Sequence, residues 1–115
     1  LSKMTTFSFI DCVADKDGGG MYSHRIQEAH DYQLVRELRA VKGSNFVRCL
    51  AGSNGGGILL DDISNVTIGN CEFESNSATE SGGAVYSSHS NVSISNSLFL
   101  SNSADEEGGG AFSSF

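Results

Sequence analysis

The sequence has no proline and no tryptophan among its 115 residues, and only seven of these residues are lysine or arginine. Fourteen acidic residues bring the formal net charge to −7 at pH 7. Nucleic-acid binding needs clustered lysine and arginine to neutralise phosphates, so this composition argues against a nucleic-acid partner. The longest apolar runs have three residues, as at 58–60. A membrane-spanning helix needs roughly 20 apolar residues, so the sequence predicts no transmembrane segment in this stretch.

Glycine, serine and asparagine are abundant instead and make up 41 of the 115 residues. Such a bias is typical either of disorder or of a repeat architecture rich in turns. Repeats favour the second interpretation, because residues 64–89 and 90–115 align without a gap and are identical at 15 of 26 positions. Two weaker copies surround Phe9 and Phe46, and in all four copies the first glycine follows the phenylalanine by nine residues.

Each copy contains short stretches of alternating apolar residues, such as Val66-x-Ile68, interrupted by glycine, asparagine and serine. Alternation predicts strands and the interruptions predict turns, about three of each per copy. The sequence therefore predicts an all-β fold, a parallel β-helix (solenoid) of about four coils of 26–27 residues. Coils would stack about 4.8 Å apart, so equivalent residues form columns. We expect a phenylalanine stack, a ladder of the Asn76 and Asn102 amides, and glycines where the backbone needs positive φ or close approach.

The F-x-x-N and G-G-A-[ILV] motifs of these repeats resemble those of chlamydial polymorphic outer-membrane proteins and of secreted repeat proteins from protists and algae. Residues 73–76 and 99–102 match the first motif, and residues 82–85 match the second. Cys12 and Cys49 stand where the motif has asparagine. The resemblance implies a right-handed β-helix in an extracellular or cell-surface protein that is often adhesive or structural. It implies no active site.

An insertion interrupts the repeats, because the repeat phenylalanines of the first two copies, Phe9 and Phe46, are 37 residues apart whereas the later spacings are 27 and 26. We predict that residues 25–37 form a loop or short helix projecting from the coils. One interpretation is a recognition or packing arm, and the other is a tolerated insertion that covers one side of the stack. The candidate partner-contact residues are Arg25, Tyr32, Arg36 and Arg39.

Cys12 and Cys49 occupy the same repeat position, three residues after a phenylalanine. Stacked Cα atoms about 4.8 Å apart lie within the range that a disulfide accepts, so we predict a Cys12–Cys49 bridge. The alternative is a pair of buried thiols that replace asparagine. Cys71 has Ser44 and Ser97 in its column, which favours a free buried thiol. No C-x-x-C spacing occurs and the three histidines are scattered, so the sequence predicts no metal site and no cofactor.

Two sequons for N-glycosylation, starting at Asn65 and Asn91, lie at equivalent repeat positions just before a predicted strand. Both asparagines are candidate glycan acceptors if the protein is secreted by a eukaryote. The alternative is that such triplets arise simply from a composition rich in asparagine and serine. Because residues 64–89 and 90–115 are copies of one repeat, the second sequon would then be a duplicate of the first and not independent support for glycosylation.

Glu80 and Glu106 also share a predicted column, and Asp105 and Glu107 flank the second of them. Stacked carboxylates could act as acid and base or bind Ca²⁺, as in a polysaccharide-acting β-helix lyase or hydrolase. The other interpretation is a solvated acidic edge, and we favour it because no histidine and arginine converge with these carboxylates. We therefore predict no catalytic residues.

These patterns together predict a non-enzymatic extracellular structural protein, either a rigid β-helical rod or the subunit of a filament or surface appendage. Residues 1–115 are expected to form a single β-helix segment. That segment would be a fragment of a longer solenoid or, as the second possibility, a subunit that stacks end to end. Its expected partners are copies of itself or neighbouring coils of a longer chain, with glycan as a further possibility. A cell-surface adhesin and a polysaccharide-acting lyase or hydrolase are the alternative functions.

Overall fold

A computed structural model of the chain describes residues 3–5, 7–24, 40–63 and 65–114. These residues form sixteen short strands and no helix. All of the paired strands run parallel and lie in four sheets of four strands each. Each of four successive coils supplies one strand to each sheet. The predicted parallel β-helix of four coils is therefore confirmed.

The four sheets follow one another around each coil, and we name them A to D. Sheet A contains β1 (Lys3–Thr5), β5 (Ala40–Lys42), β9 (Asn65–Gly69) and β13 (Asn91–Ser95). Sheet B contains β2 (Ser8–Ile10), β6 (Asn45–Val47), β10 (Glu72–Glu74) and β14 (Leu98–Leu100). Sheet C contains β3 (Val13–Ala14), β7 (Leu50–Ala51), β11 (Ser77–Ala78) and β15 (Ser103–Ala104). Sheet D contains β4 (Met21–His24), β8 (Ile58–Asp61), β12 (Val85–Ser88) and β16 (Ala111–Ser114).

Coil 1 comprises β1 to β4, coil 2 β5 to β8, coil 3 β9 to β12, and coil 4 β13 to β16. In sheet B the register pairs the phenylalanine of each coil with the phenylalanine of the following coil, from Phe9 to Phe99, as the repeat spacing predicts. The extra residues between coils 1 and 2 fall between His24, which ends β4, and Ala40, which begins β5. The predicted insertion at 25–37 and its candidate contacts Arg25, Tyr32, Arg36 and Arg39 lie outside the described residues.

The interior is built from columns of apolar side chains that point inward from the strands. The rings of Phe9, Phe46, Phe73 and Phe99 stack with centroid distances of 4.7, 5.0 and 4.7 Å and interplanar angles of 9°, 6° and 13°. Phe46 and Phe73 are fully buried. Burial of each such side chain contributes about 2 kcal/mol or more to stability, so the predicted stack is a main support of the fold.

Each coil has four strands, one more than the three that the sequence predicts. The additional strand lies in sheet C and has only two residues in every coil, for example Ser77–Ala78. Two residues are too few to show an alternating pattern, so only their pairing with neighbouring coils defines the strand. The prediction of three strands per coil was wrong for this reason.

Tight corners join the sheets, and most contain one residue with positive φ. Between sheets C and D this residue is glycine, as at Gly55 and Gly82, which both have a φ of 70°. The next glycine is required for space, because a Cβ atom on Gly56 would lie 2.1 Å from the carbonyl oxygen of Gly83. The predicted role of the glycine motif is therefore confirmed in both of its parts, positive φ and close approach.

Candidate functional site

The corner between sheets B and C carries the chemistry that distinguishes one coil from another. The residue with positive φ there is Asp11, Arg48, Ser75 or Ser101 in coils 1 to 4. The side chain that follows it is Cys12, Cys49, Asn76 or Asn102. We call these four following residues the corner column.

Asn76 of the corner column connects coil 3 to coils 2 and 4 through its amide. Its Oδ1 accepts a hydrogen bond from the Cys49 N–H at 2.9 Å, and its Nδ2 donates to the Phe46 carbonyl oxygen at 2.9 Å. On the other side, its N–H and its Nδ2 both donate to Oδ1 of Asn102 at 3.0 Å. Asn76 is fully buried. The predicted asparagine ladder is thus confirmed, and a buried amide is satisfied without water.

The thiol of Cys49 makes the same two kinds of contact with the preceding coil as the Asn76 amide does, one as a donor and one as an acceptor. Its S–H donates to the Phe9 carbonyl oxygen at 3.4 Å, and its sulfur accepts a hydrogen bond from the backbone N–H of Cys12. Only 1% of the Cys49 surface is exposed. Burial, together with the neighbouring Cys12 thiol, raises the pKa of the Cys49 thiol to about 11. At neutral pH the group is therefore a protonated donor.

Cys12 begins the corner column in coil 1 and is only partly buried. Its S–H donates to the carbonyl oxygen of Ile10, with the sulfur atom 3.8 Å from that oxygen. The Leu50 N–H donates to the Cys12 carbonyl oxygen at 2.8 Å, which holds the two cysteines side by side on adjacent coils. The structure contains both residues as free thiols. The Cys12–Cys49 disulfide therefore stays a prediction.

Cys71 lies at a different corner, between sheets A and B. Its N–H donates to Oγ of Ser97 at 3.2 Å, and the Ser44 N–H donates to its sulfur. Burial raises the pKa of the Cys71 thiol. The three residues share one column and Cys71 is buried, as the sequence predicts, and its thiol is free in the structure.

The two sequons begin on the outer surface of sheet A. Asn65 and Asn91 are the first residues of β9 and β13, are register partners, and are both exposed. Their hydroxyl residues, Thr67 and Ser93, are also register partners and exposed. Both acceptor amides are accessible, and whether they carry glycan stays a prediction.

Glu80 and Glu106 stack at an exposed turn between sheets C and D, where the Glu106 N–H donates to the Glu80 carbonyl oxygen at 2.9 Å. The Glu80 carboxylate accepts a hydrogen bond from the side chain of Asn54 at 3.2 Å. The carboxylates thus share a column, as predicted, and lie on the solvated surface. In the parts of the chain that the structure describes, no three histidine, cysteine or acidic side chains are grouped to hold a metal ion.

An ion pair on the outer side of the corner column is a feature that the sequence analysis missed. Nε of Arg48 donates to Asp11 Oδ1 at 2.6 Å, and this hydrogen bond lowers the pKa of the Asp11 carboxyl group. The exposed apolar side chains of Ile10, Val13 and Leu50 lie nearby on the same outer surface. The signal was present in the sequence, since Asp11 and Arg48 each immediately precede a cysteine of the column.

A comparison with known protein families matches residues 36–114 to the right-handed beta helix region. The match covers more than half of the chain. The chain belongs to the right-handed β-helix family. Neither a comparison with curated proteins nor one with solved structures gives a match.

Within this right-handed β-helix, the described residues include no helix long and apolar enough to cross a membrane. The chemistry that the corner column makes available is of two kinds. Its asparagines bind neighbouring coils through neutral hydrogen bonds, and its two cysteines place thiols side by side at one end of the column. The first joins adjacent coils of the stack, and the second is the chemistry that a disulfide between coils 1 and 2 would require.

Proposed function

We propose that this β-helix is a rigid, non-enzymatic structural element of an extracellular protein, either a rod or the subunit of a filament or surface appendage. The observation that carries the proposal is the continuity of register: all four sheets keep their pairing through all four coils. The stacked phenylalanine rings and the corner column continue through the same coils. Neighbouring coils are therefore joined through all four sheets, which resists bending and extension.

The two ends of the coil stack support extension of the rod. Strands β1 to β4 at one end and β13 to β16 at the other are the edge strands of their sheets. Ile94 at one end is 39% exposed, whereas its register partner Ile68 is fully buried. Edges that no described strand covers, together with partly exposed interior columns, are surfaces on which another coil can pair. We propose that the additional coil that pairs with an end of the stack comes either from a longer chain containing this segment or from a second copy of the protein.

The extracellular part of the proposal is supported by two features of the sequence. The F-x-x-N and G-G-A-[ILV] motifs resemble repeats of surface and secreted proteins, and coil 3 retains both motifs. The sequon asparagines, Asn65 and Asn91, are exposed at the start of their strands, where an attached glycan would point into solvent.

A proline substitution at the coil 1 edge tests this proposal. The Asp11 N–H donates to the Val47 carbonyl oxygen, so the backbone groups of Val47 face coil 1. Ile10 is the register partner of Val47, so its own N–H faces away from coil 2, on the side of β2 where no described strand pairs with it. Ile10→Pro should leave the four coils folded and remove a donor that another coil would use. Val47→Pro is the matched control, because it removes a donor used inside the molecule and should destabilise the fold by about 3 kcal/mol.

The measurement is electron microscopy together with sedimentation velocity at rising protein concentration. We expect the unmodified chain to form linear particles one β-helix wide, and Ile10→Pro to remain folded and shorten them. A chain that stays monomeric at every concentration, or Ile10→Pro particles as long as those of the unmodified chain, would contradict end-to-end pairing with a second copy, so that only a longer chain could supply the next coil. Saturable surface binding that is lost on deletion of residues 25–37 would favour an adhesin instead. Release of reducing ends from polysaccharide that is lost in Glu80→Gln or Glu106→Gln would favour an enzyme.

A further inference from the structure

The two cysteines of the corner column differ in access although they are neighbours. Cys49 is 1% exposed and lies inside the stack, whereas Cys12 is partly exposed in coil 1. Their backbones are held in contact by the hydrogen bond from the Leu50 N–H to the Cys12 carbonyl oxygen. Adjacent strands place such Cα atoms about 4.8 Å apart, within the range for a disulfide. A small oxidant in solution can therefore reach one thiol of the pair more readily than the other.

The reduced pair has its own stabilising contacts. The Cys49 S–H donates to the Phe9 carbonyl oxygen at 3.4 Å, and the Cys12 N–H donates to the Cys49 sulfur. These contacts replace the amide contacts that Asn76 and Asn102 make in coils 3 and 4. Disulfide formation would remove the S–H donor to Phe9 and would add a covalent link between coils 1 and 2. Each state therefore has an interaction that the other lacks, which is the requirement for a reversible change.

We propose that Cys12 and Cys49 form a reversible disulfide in the folded protein, with Cys12 as the attacking thiol and Cys49 as the resolving thiol. This redox site is independent of the proposed rod function. In the first step the Cys12 thiolate attacks a low-molecular-weight disulfide, bonds to one of its sulfurs and releases the other as a thiol. In the second step Cys49 gives its proton to solvent and attacks the Cys12 sulfur, which releases the second small thiol. The two protein thiols lose two electrons and two protons, and the small disulfide is reduced to two thiols.

The order of the two steps follows from the exposure of Cys12 and from the burial and raised pKa of Cys49. A thiolate is the attacking species, and the raised pKa of Cys49, about 11, keeps that group protonated near neutral pH. The second step should therefore be the slower one and should accelerate about tenfold per pH unit between about pH 8 and pH 10. Cys71 belongs to another column beside Ser44 and Ser97, so it has no thiol neighbour in its own column.

The bridge would close the chain between residues 12 and 49, the stretch that contains the insertion. Cross-linking across this stretch restricts the unfolded chain and stabilises the folded one. Oxidation should therefore raise the denaturant concentration at the midpoint of unfolding. Reduction should return the midpoint to its starting value.

The experiment uses the reduced 115-residue chain and oxidised glutathione, followed by acid quenching and mass spectrometry at successive times. In the unmodified chain we expect a mixed disulfide on Cys12 and then an internal Cys12–Cys49 bridge that reduced glutathione reopens. Cys49→Asn retains hydrogen-bonding groups at that position and should stop at the mixed disulfide. Cys12→Ser should remain reduced about tenfold longer or more, because its remaining thiols are buried. Cys71→Ser is the matched control and should react like the unmodified chain.

Three outcomes would overturn the proposal. The first is an unmodified chain that stops at the Cys12 mixed disulfide without internal closure. The second is Cys12→Ser protein, shown to be folded by circular dichroism, whose Cys49 reacts with glutathione as fast as Cys12 does in the unmodified chain. The third is an internal bridge that involves Cys71, or one that reduced glutathione does not reopen.

Discussion

The same corner of the β-helix is filled by amides in coils 3 and 4 and by thiols in coils 1 and 2. Asn76 Nδ2 donates to the Phe46 carbonyl oxygen at 2.9 Å, and Asn102 Nδ2 donates to the Phe73 carbonyl oxygen at 2.9 Å. The Cys49 S–H reaches the equivalent oxygen of Phe9 at 3.4 Å. The backbone corner is shared, since the preceding residues all have positive φ, for example 51° at Arg48 and 56° at Ser75.

The comparison shows what the position demands of its side chain. It must donate to a carbonyl oxygen of the preceding coil and accept from an N–H of that coil at the same time. An amide has a separate atom for each task, whereas a thiol uses a single sulfur that is weak in both roles. The thiol offers in exchange a reactive group beside a second cysteine. Coils 3 and 4 are thus built for hydrogen bonding, and coils 1 and 2 combine weaker hydrogen bonding with the two thiols of the proposed redox pair.

The largest effect should come from removing the buried amide. Asn76→Ala leaves the Cys49 N–H and the Phe46 carbonyl oxygen without their side-chain partners and opens a space beside Asn102. We expect the free energy of unfolding to fall by about 3 kcal/mol, because each buried group left unpaired costs about 1–3 kcal/mol. Urea denaturation followed by circular dichroism measures the change.

Asn102→Ala is the matched control, because Asn102 makes similar bonds to coil 3 but is only partly buried in coil 4. Its loss should be smaller, since water can replace the missing partners at the exposed end. Equal losses for the two substitutions would show that burial does not set the strength of the ladder.

Replacing the Cys49 thiol with an amide should raise the free energy of unfolding, by less than the Asn76 substitution lowers it. In Cys49→Asn the new side chain can donate to the Phe9 carbonyl oxygen and accept from the Cys12 N–H, as Asn76 does one coil further on. Under reducing conditions we expect stabilisation by about 1 kcal/mol, the net value of a typical hydrogen bond. Cys49→Val is the control, because it removes both contacts and should destabilise the fold. If the asparagine variant unfolds as readily as the valine variant, the thiol and amide positions are not equivalent.

Much of this fold could be predicted because its columns repeat in the sequence. Within every copy the corner residue follows the phenylalanine by three positions and the first glycine follows it by nine, so stacking of the coils brings equivalent residues together. The column of Ser44, Cys71 and Ser97 followed from the same alignment. For the same reason the side-by-side position of Cys12 and Cys49 was predictable although their redox state was not.

Other features depend on information that a single coil does not contain. The two-residue strand of sheet C exists only through pairing with its neighbours. The contact between Asp11 and Arg48 depends on how the long Arg48 side chain lies on the outer surface, which repeat spacing alone does not determine. Asp11 and Arg48 do occupy equivalent positions in coils 1 and 2, but Ser75 and Ser101 occupy them in coils 3 and 4, so the pairing of opposite charges does not recur along the column.

The smallest effect concerns this ion pair, which coils 3 and 4 lack. The hydrogen bond from Arg48 lowers the pKa of folded Asp11 below its ordinary value of 3.8, so the pair stabilises the fold while Asp11 is ionised. The contribution is fully present above pH 3.8 and is lost as the pH falls through the lowered folded value. Asp11→Asn should therefore lose a little stability at pH 7 and none at pH values where folded Asp11 is protonated. Urea denaturation of both proteins across this range, repeated at high salt to screen the charges, measures the difference. A difference that is independent of pH would show that Asp11 acts through the corner backbone rather than through its charge.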